Sequence, residues 1–242
     1  MISIAARYSE KVGAFYSIGS YGKVVRAALK KTDEEFALKI INKEKIEKSG
    51  LEEQVLNEIQ ITESLDHPNI IKLLGYFEDM KSVYLILELS DQGKLKISKE
   101  LVGREREALV AKVDLLTYRK SVFSVLKAVS YLHNLTPPIV HRDIKPENIL
   151  TFKNDIKLSD FGTANYKDKL GKETMCGTPE YLSPEMINQQ GHDEKLDIWS
   201  IGILTYELLE GQTPFTKNLK ATSENEEFFQ ELSQKILVRF KV

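Results

Sequence analysis

The sequence has very little cysteine and no apolar run of membrane-spanning length. Its single cysteine, Cys176, excludes an intrachain disulfide and is consistent with a reducing compartment. The apolar run 83–87 ends at Glu88, far short of a membrane span. The first seven residues also lack the apolar core of a signal peptide. We therefore expect a soluble intracellular protein, in the cytoplasm or the nucleus, with no membrane partner.

An excess of charge of one sign is missing as well. The chain has 34 Lys and Arg against 36 Asp and Glu, a formal net charge of −2. Proteins that bind the phosphate backbone of nucleic acids usually carry a basic excess, so we expect no nucleic-acid partner. Hydrophobic residues make up 42% of the 242 residues, which is enough to bury a core.

The pattern of apolar residues changes near residues 88–93. Between residues 8 and 41, short apolar and β-branched runs predict an antiparallel meander, which is followed by one helix at 51–65 and a strand at 83–87. After the turn at 90–93 helical periodicity dominates, notably at 119–133 and 196–210. The charged stretch 96–114 is interpreted as an exposed helix or loop. This pattern predicts an α+β fold with a small β-rich part and a larger helical part.

Two segments carry polar side chains in a specific order. His141-Arg142-Asp143-Ile144-Lys145-Pro146-Glu147-Asn148 is the more specific one, and twelve residues later Asp160-Phe161-Gly162 adds another carboxylate. Amide and carboxylate oxygens are ligands that Mg²⁺ accepts. A base, a cation and metal ligands are the groups that phosphoryl transfer requires, so this order predicts that chemistry.

Two weaker features precede these segments. Gly19 and Gly22, in the stretch 17–24, would let backbone N–H groups approach phosphate oxygens, although glycines in a polar stretch more often form an ordinary turn. Lys39 ends the apolar run 36–38, where a lysine is usually a solvated cap. Glu58 lies in the middle of the predicted helix, where an ion pair with Lys39 would need it.

Together with Cys176-Gly177-Thr178-Pro179-Glu180-Tyr181-Leu182-Ser183-Pro184-Glu185, these motifs resemble the eukaryotic protein kinase catalytic domain of the Ser/Thr type, over almost the whole chain. Within that family the chain looks most similar to the Aurora kinases, at 47–50, 57–61, 67–70, 75–77, 173–178 and 191–200. The resemblance implies a bilobal fold with a small lobe at 8–87, a hinge at 88–93 and a large lobe at 94–242. The resemblance implies further C-terminal helices that contribute an arginine partner for Glu185. Because Arg239 is the only arginine after Glu185 here, we expect that these helices are truncated.

The resemblance implies roles for individual residues, with ATP and Mg²⁺ as cofactors. Asp143 would accept or orient the substrate hydroxyl proton, Lys145 would face the transferring phosphoryl group, and the Lys39–Glu58 ion pair completes the catalytic set. Mg²⁺ would bind to Asn148 and Asp160. The residues expected to bind ATP, some of which could be ordinary core aliphatics, are Ile18, Gly19, Gly22, Val24, Ala37, Lys39, Glu88, Ser90, Glu147, Asn148, Leu150 and Asp160, with Leu87 as gatekeeper.

Regulatory and substrate contacts also follow from the resemblance. A phosphate on Thr174 would pair with Arg142, although Thr174 could be one loop threonine among many. Thr178 and the carboxylates of Glu147, Glu180 and Glu207 match substrate-contacting positions, so protein substrates with Arg or Lys upstream of the acceptor are expected.

The Aurora resemblance further implies a role in cell division, at the spindle or centrosome, and an activator that docks on the small lobe. It also implies a column of Thr62, Leu73, His141 and Phe161 that supports the active state, in which the polar Thr62 would weaken the contact.

Two other classes of protein remain open. One is a kinase-shaped interaction module without activity, which an incomplete large lobe would favour. The intact set of Lys39, Glu58, Asp143, Asn148 and Asp160 favours an enzyme instead. The other is a small-molecule kinase, which the segment 177–185 disfavours because it resembles a protein-substrate segment.

Overall fold

A computed structural model describes residues 8–18, 22–97, 115–153, 155–170, 176–216, 219 and 226–240; for residues 8–18, 115 and 240 the description is limited to the backbone. Five antiparallel strands form one sheet in the order β1-β2-β3-β5-β4. Their bounds are β1 Tyr8–Ile18, β2 Gly22–Leu29, β3 Glu35–Asn42, β4 Leu73–Glu78 and β5 Ser82–Leu87.

The central strand β3 has two different faces. Phe36 and Leu38 are buried in an apolar cluster on one face. Since side chains alternate along a strand, Ala37 and Lys39 lie on the other face, and Lys39 is in register with Val24 on β2 and Leu85 on β5. The alternation therefore directs Lys39 into the space between the sheet and the rest of the chain.

Two helices follow β3, where the sequence predicted one. Helix α1, Lys43–Ser49, begins at Asn42, whose side-chain oxygen accepts from the Lys45 N–H at 2.9 Å, and ends at Gly50 with φ of 63°. Helix α2, Glu52–Ser64, is the predicted one. Helix α1 was not predicted from the sequence, because seven residues are too few to show a helical period.

The remaining elements form a mainly helical part. Its helices are α3 Leu115–His133, α4 Pro184–Ile187, α5 Lys195–Glu210 and α6 Glu226–Phe240. Its strands are β6 Ile139–Val140, β7 Ile149–Thr151, β8 Ile156–Leu158 and β9 Asn165–Tyr166, which pair as β6-β9 and β7-β8. We call the sheet with α1 and α2 the small lobe and the part that follows Gly93 the large lobe.

The core of the large lobe lies between α3 and α5. Val125 and Leu132 of α3 and Leu204 of α5 are at most 1% exposed and belong to one cluster. Helix α5 is apolar on most of its surface, as expected of a buried helix, and ends at Gly211 with φ of 76°. Within the described ranges, no helix combines the length and the apolar character that a membrane crossing requires.

The segment 66–72, which connects α2 with β4 in the small lobe, packs against the large lobe. The Asp66 N–H donates to the Tyr131 hydroxyl of α3 at 3.3 Å, and the His67 ring stacks on the Tyr131 ring at 5.0 Å. Asn69 Nδ2 donates to the Ile156 carbonyl of β8 at 2.9 Å. The C-terminal end of α2 is therefore attached to the large lobe.

The predicted α+β class, with an antiparallel β-rich part before a helical part, is confirmed. The predicted helical stretches 119–133 and 196–210 lie within α3 and α5. Of the charged stretch 96–114, residues 98–114 lie outside the described residues, so its interpretation as a helix or loop stays a prediction.

Candidate active site

A cleft of about 450 Å³ separates the sheet of the small lobe from the large lobe. This volume is in the range of small-molecule sites. Of the residues expected to bind ATP, ten line the cleft: Gly22, Val24, Ala37, Lys39, Glu88, Ser90, Glu147, Asn148, Leu150 and Asp160. Leu87, Glu58, Asp143 and Lys145 line it as well. Ile18 is described only as the last residue of β1, and Gly19 lies outside the described residues.

Lys39 lies between two carboxylates in the cleft. Its Nζ is 2.5 Å from Glu58 Oε1 and 2.9 Å from Asp160 Oδ1. Glu58 is buried, with 6% of its surface exposed, whereas half of the Asp160 side chain is exposed. The ion pair that the sequence predicted between Lys39 and Glu58 is present, and Asp160 joins it.

The three charges alter one another's protonation. Burial alone would lower the pKa of Lys39, but the negative charges of Asp160 and Glu58 outweigh it and raise that pKa above its ordinary value. Burial raises the pKa of Glu58, and the charge of Lys39 opposes this shift. The charge of Lys39 lowers the pKa of Asp160 to about 2, against the effect of its desolvation. Lys39 is therefore a fixed cation and Asp160 a fixed anion at neutral pH.

Asp143 is held by three side chains. Its Oδ2 accepts from Asn148 Nδ2 at 2.9 Å and lies 2.9 Å from Lys145 Nζ. Its Oδ1 accepts from the Thr178 hydroxyl at 2.8 Å, and that hydroxyl accepts from Lys145 at 2.6 Å. The hydrogen bonds fix the orientation of the Asp143 carboxylate at the floor of the cleft.

Gly177 brings Thr178 into this network. Its φ is +102°, and a Cβ at this position would lie 2.7 Å from the Arg142 carbonyl oxygen. A side chain at residue 177 would therefore push the segment away from residues 141–148, which we call the catalytic loop. The predicted substrate residue Thr178 depends on this glycine for its contact with Asp143.

Asp197 of α5, to which the sequence motifs gave no role, supports the catalytic loop. Asp197 is fully buried; its Oδ1 accepts from the Arg142 N–H, and its Oδ2 from the His141 N–H and from His133 Nε2, each at 2.9 Å. A carboxylate in the first turn of a largely apolar helix was the available signal, because a buried charge needs partners. These bonds hold Arg142 at its positive φ of 68°.

The proposed supporting column is present in part. The rings of His141 and Phe161, both at most 1% exposed, meet edge to face with centroids 5.0 Å apart. The hydroxyl of Thr62 donates to the Glu58 carbonyl of its own helix at 2.6 Å. The buried hydroxyl of Thr62 is therefore satisfied within α2.

Glu88 has contacts that the sequence did not predict. Its carboxylate accepts from Lys157 Nζ of β8 and from the Lys72 N–H, both at 2.7 Å. Its own N–H donates to the Lys72 carbonyl at 3.1 Å, so this N–H is engaged within the protein. Ser90 is buried, and its hydroxyl donates to the Thr151 carbonyl at 2.6 Å.

The three glutamates expected to contact substrate act on one hydroxyl. Burial raises the pKa of Tyr181, and its hydrogen bond to the Glu207 carboxylate, together with the charges of Glu207, Glu147 and Glu180, raises it further. Of the three glutamates, Glu147 lines the cleft, and Glu207 is bonded to Tyr181.

Thr174 lies outside the described residues, so its predicted pairing with Arg142 stays a prediction. Arg142 itself is half-buried, and its Nε donates to the Thr163 carbonyl at 2.6 Å.

The oxygen donors of the cleft suit a shared Mg²⁺. Asn148 Nδ2 donates to the backbone carbonyl and to the carboxylate of Asp143, and the Asn148 amide oxygen accepts no bond from the described residues. Asp160 adds an ionised, half-exposed carboxylate. Among the described residues, no group of three or more His, Cys, Asp or Glu side chains could hold a metal alone. A donor set of this kind fits Mg²⁺, which commonly binds through one or two carboxylates with phosphate and water.

Comparison with known families identifies this architecture. The profile of the family described as protein kinase domain matches residues 9–242. The chain therefore belongs to the protein kinase family.

Within the kinases, the chain is similar to Aurora kinases from several organisms. It is 41% identical to the Aurora kinase of Schizosaccharomyces pombe over 206 residues, 85% of this chain and 55% of that protein. It is 40% identical to Aurora kinase B of Danio rerio over 198 residues, 81% of this chain and 59% of that protein. For Aurora kinase C of Mus musculus the identity is 41% over 206 residues, 85% of this chain and 71% of that protein. The chain thus spans little more than half the length of the first two relatives.

Proposed function

We propose that this chain is a Ser/Thr protein kinase, which transfers the γ-phosphoryl group of Mg-ATP to hydroxyls of protein substrates. The observation that carries the proposal is the assembly of Lys39, Asp143, Asn148 and Asp160 in one cleft. These groups come from the small lobe, the catalytic loop and the segment after β8, so the fold brings together residues far apart in the chain. Membership of the protein kinase family supports the same reaction.

In this proposal, Lys39 neutralises the phosphate groups of ATP. Its raised pKa keeps it charged, and Glu58 and Asp160 hold its ammonium group in place. Asn148 and Asp160 would hold Mg²⁺. When bound, the ion supplies charge stabilisation for the phosphate oxygens in the transition state.

Asp143 would orient the substrate hydroxyl and accept its proton. Its Oδ2 already has two donors, whereas Oδ1 has one, from Thr178. Since an ionised carboxylate oxygen can accept two bonds, Oδ1 has room for the hydroxyl of a substrate. Lys145 lies beside it and can stabilise the charge that develops on the transferred group.

We also propose that substrates carry Arg or Lys upstream of the acceptor. Glu147 lines the cleft, Glu180 precedes Tyr181 in the chain, and Glu207 accepts from the Tyr181 hydroxyl. Negative charge near Tyr181 would attract a basic side chain of the substrate. A role in cell division, and an activator on the small lobe, rest on similarity to the Aurora kinases. Imaging of the tagged protein through mitosis tests the role in cell division. Absence of enrichment at the spindle or centrosome would contradict that role.

A phosphate-transfer assay tests the proposal. Labelled ATP is incubated with the chain and a Ser peptide that has two upstream arginines, and the Asp160→Asn variant is compared. Asp168→Asn is the matched control, because Asp168 is exposed within the turn Lys167–Lys169. We expect transfer by the wild type and the control, and a loss of at least about 100-fold in the Asp160 variant, in the range typical of electrostatic stabilisation. Equal background signals from all three would favour an interaction module instead.

The same assay tests the substrate preference. Replacing the upstream arginines of the peptide by alanine is expected to lower transfer. Unchanged transfer to the alanine peptide would refute the basic preference but not the kinase activity.

A further inference from the structure

Three successive backbone carbonyls after Phe161 are each bound by a side chain from another element. Gln54 Nε2 of α2 donates to the Gly162 carbonyl. Arg142 Nε of the catalytic loop donates to the Thr163 carbonyl at 2.6 Å. Asn57 Nδ2 of α2 donates to the Ala164 carbonyl at 2.9 Å. The backbone that directly follows Asp160 is therefore held from both lobes.

The two amides share a helical face with the ion pair. Positions 54, 57 and 58 are separated by three and four residues, so Gln54, Asn57 and Glu58 lie on the same side of α2. Glu58 binds Lys39, while the amides bind the segment that carries Asp160. The position of α2 and the position of Asp160 are therefore coupled through this face.

We propose that Gln54 and Asn57 are positioning residues that hold α2 against the segment 162–164, and so keep Glu58 on Lys39 and Asp160 in the cleft. We call these two side chains the amide latch. The part of the proposal that concerns activity rests on the proposed kinase function. Both donors and both acceptors are uncharged, so the latch requires no phosphate and is little affected by salt.

The two bonds are not equivalent. Asn57 is half-buried and Ala164 is 3% exposed, so removing this donor leaves a buried carbonyl without its partner. Gln54 is exposed, so water can replace it. Loss of a neutral hydrogen bond lowers an equilibrium constant by about 2- to 12-fold, and we expect Asn57 at the upper end of that range and Gln54 at the lower end.

Hydrogen exchange measures the latch without reference to activity. The reporter is a peptide covering 161–166, which includes the Ala164 N–H bonded to the Phe161 carbonyl at 3.0 Å. The variants are Asn57→Asp, which keeps the shape but cannot donate when ionised, and Asn57→Leu, which is uncharged. The matched control is Gln60→Glu, the same type of change at an exposed position of α2.

We expect both Asn57 variants to accelerate exchange in 161–166 by about 5- to 12-fold, and the control by less than about 2-fold. Agreement between a charged and an uncharged replacement would show that the lost donor is responsible. Unchanged exchange in this peptide would overturn the latch. Equal acceleration in peptides of α3 and α5 would also overturn it, because the amides would then stabilise the whole fold.

Kinetic constants test the consequence for activity. If the latch positions Asp160, the Gln54→Leu and Asn57→Leu double variant, which adds no charge, loses at least about 10-fold in kcat, with a smaller change in the KM for ATP and little dependence on salt. A wild-type kcat retained by a double variant that shows accelerated exchange would overturn the positioning role. Absence of transfer by the wild type would refute the proposed function, while the exchange data would still decide whether the latch exists.

Discussion

The clearest test of the stability of this fold is the Asp197→Asn substitution. The change keeps the shape of the side chain but replaces one acceptor oxygen by an NH₂ group. Asp197 accepts from the backbone N–H groups of His141 and Arg142 and from the His133 ring, and it is fully buried. Whichever way the new amide turns, its NH₂ group faces the backbone N–H of either His141 or Arg142.

The cost follows from this bond count. A buried N–H left without a partner costs about 1–3 kcal/mol. The two remaining bonds lose the charge of their acceptor, which we take as about 1 kcal/mol each. We therefore expect the free energy of unfolding to fall by about 3–5 kcal/mol, a large share of the roughly 5–15 kcal/mol typical of a domain.

Urea denaturation measures this change. The only tryptophan, Trp199, lies two residues from Asp197 and stacks on Phe215 at 6.1 Å, so its fluorescence reports on this region. With a urea slope of about 2–3 kcal/mol/M, the midpoint should fall by about 1–2.5 M. Asp193→Asn is the matched control, because asparagine can keep the side-chain cap on the Lys195 N–H. A fall below about 1 kcal/mol for Asp197→Asn, or an equal fall in the control, would refute the reasoning.

Two further predictions concern the cleft. A Cβ at Gly22 would overlap the Ile40 carbonyl oxygen, so Gly22→Ala should lower the free energy of unfolding by about 1–3 kcal/mol. Gly75→Ala, where the space is open, should change the free energy of unfolding by no more than about 0.5 kcal/mol. Thermal unfolding of the two variants checks this, and equal effects would contradict it. The pKa of Asp160 lies near 2, below its ordinary 3.8, so its carboxylate stabilises the fold above pH 3.8 and this contribution is lost as pH falls through about 2. Carboxyl ¹³C shifts should show Asp160 mostly ionised at pH 3; a midpoint near 4 would disprove the effect of Lys39.

The ordered motifs allowed much of the cleft to be predicted from the sequence. Lys39 and Glu58 could be paired because an apolar strand and an amphipathic helix each place one of them, and the motif order relates the two elements. The catalytic loop could be located because its residues follow one another within 141–148. These predictions combined the local period of each element with the roles that the resemblance to protein kinases implies.

The contacts that escaped prediction join residues far apart in the sequence. Asp197 is 56 residues from His141, and Asn57 is 107 residues from Ala164. Periodicity indicates which face of an element is buried, but not which distant backbone group a side chain will meet. The bond between Glu88 and Lys157, 69 residues apart, escaped for the same reason.

The attachment of the C-terminal end of α2 to Tyr131 and β8 makes the helix a lever with its fulcrum near Ser64. At 1.5 Å per residue, Glu58 lies about 9 Å from that fulcrum and Gln54 about 15 Å. A swing of about 10° would move Glu58 by about 1.6 Å and Gln54 by about 2.6 Å, enough to break both of their contacts. A displacement of the N-terminal end of α2, where Gln54 contacts the Gly162 carbonyl, would therefore also separate Glu58 from Lys39.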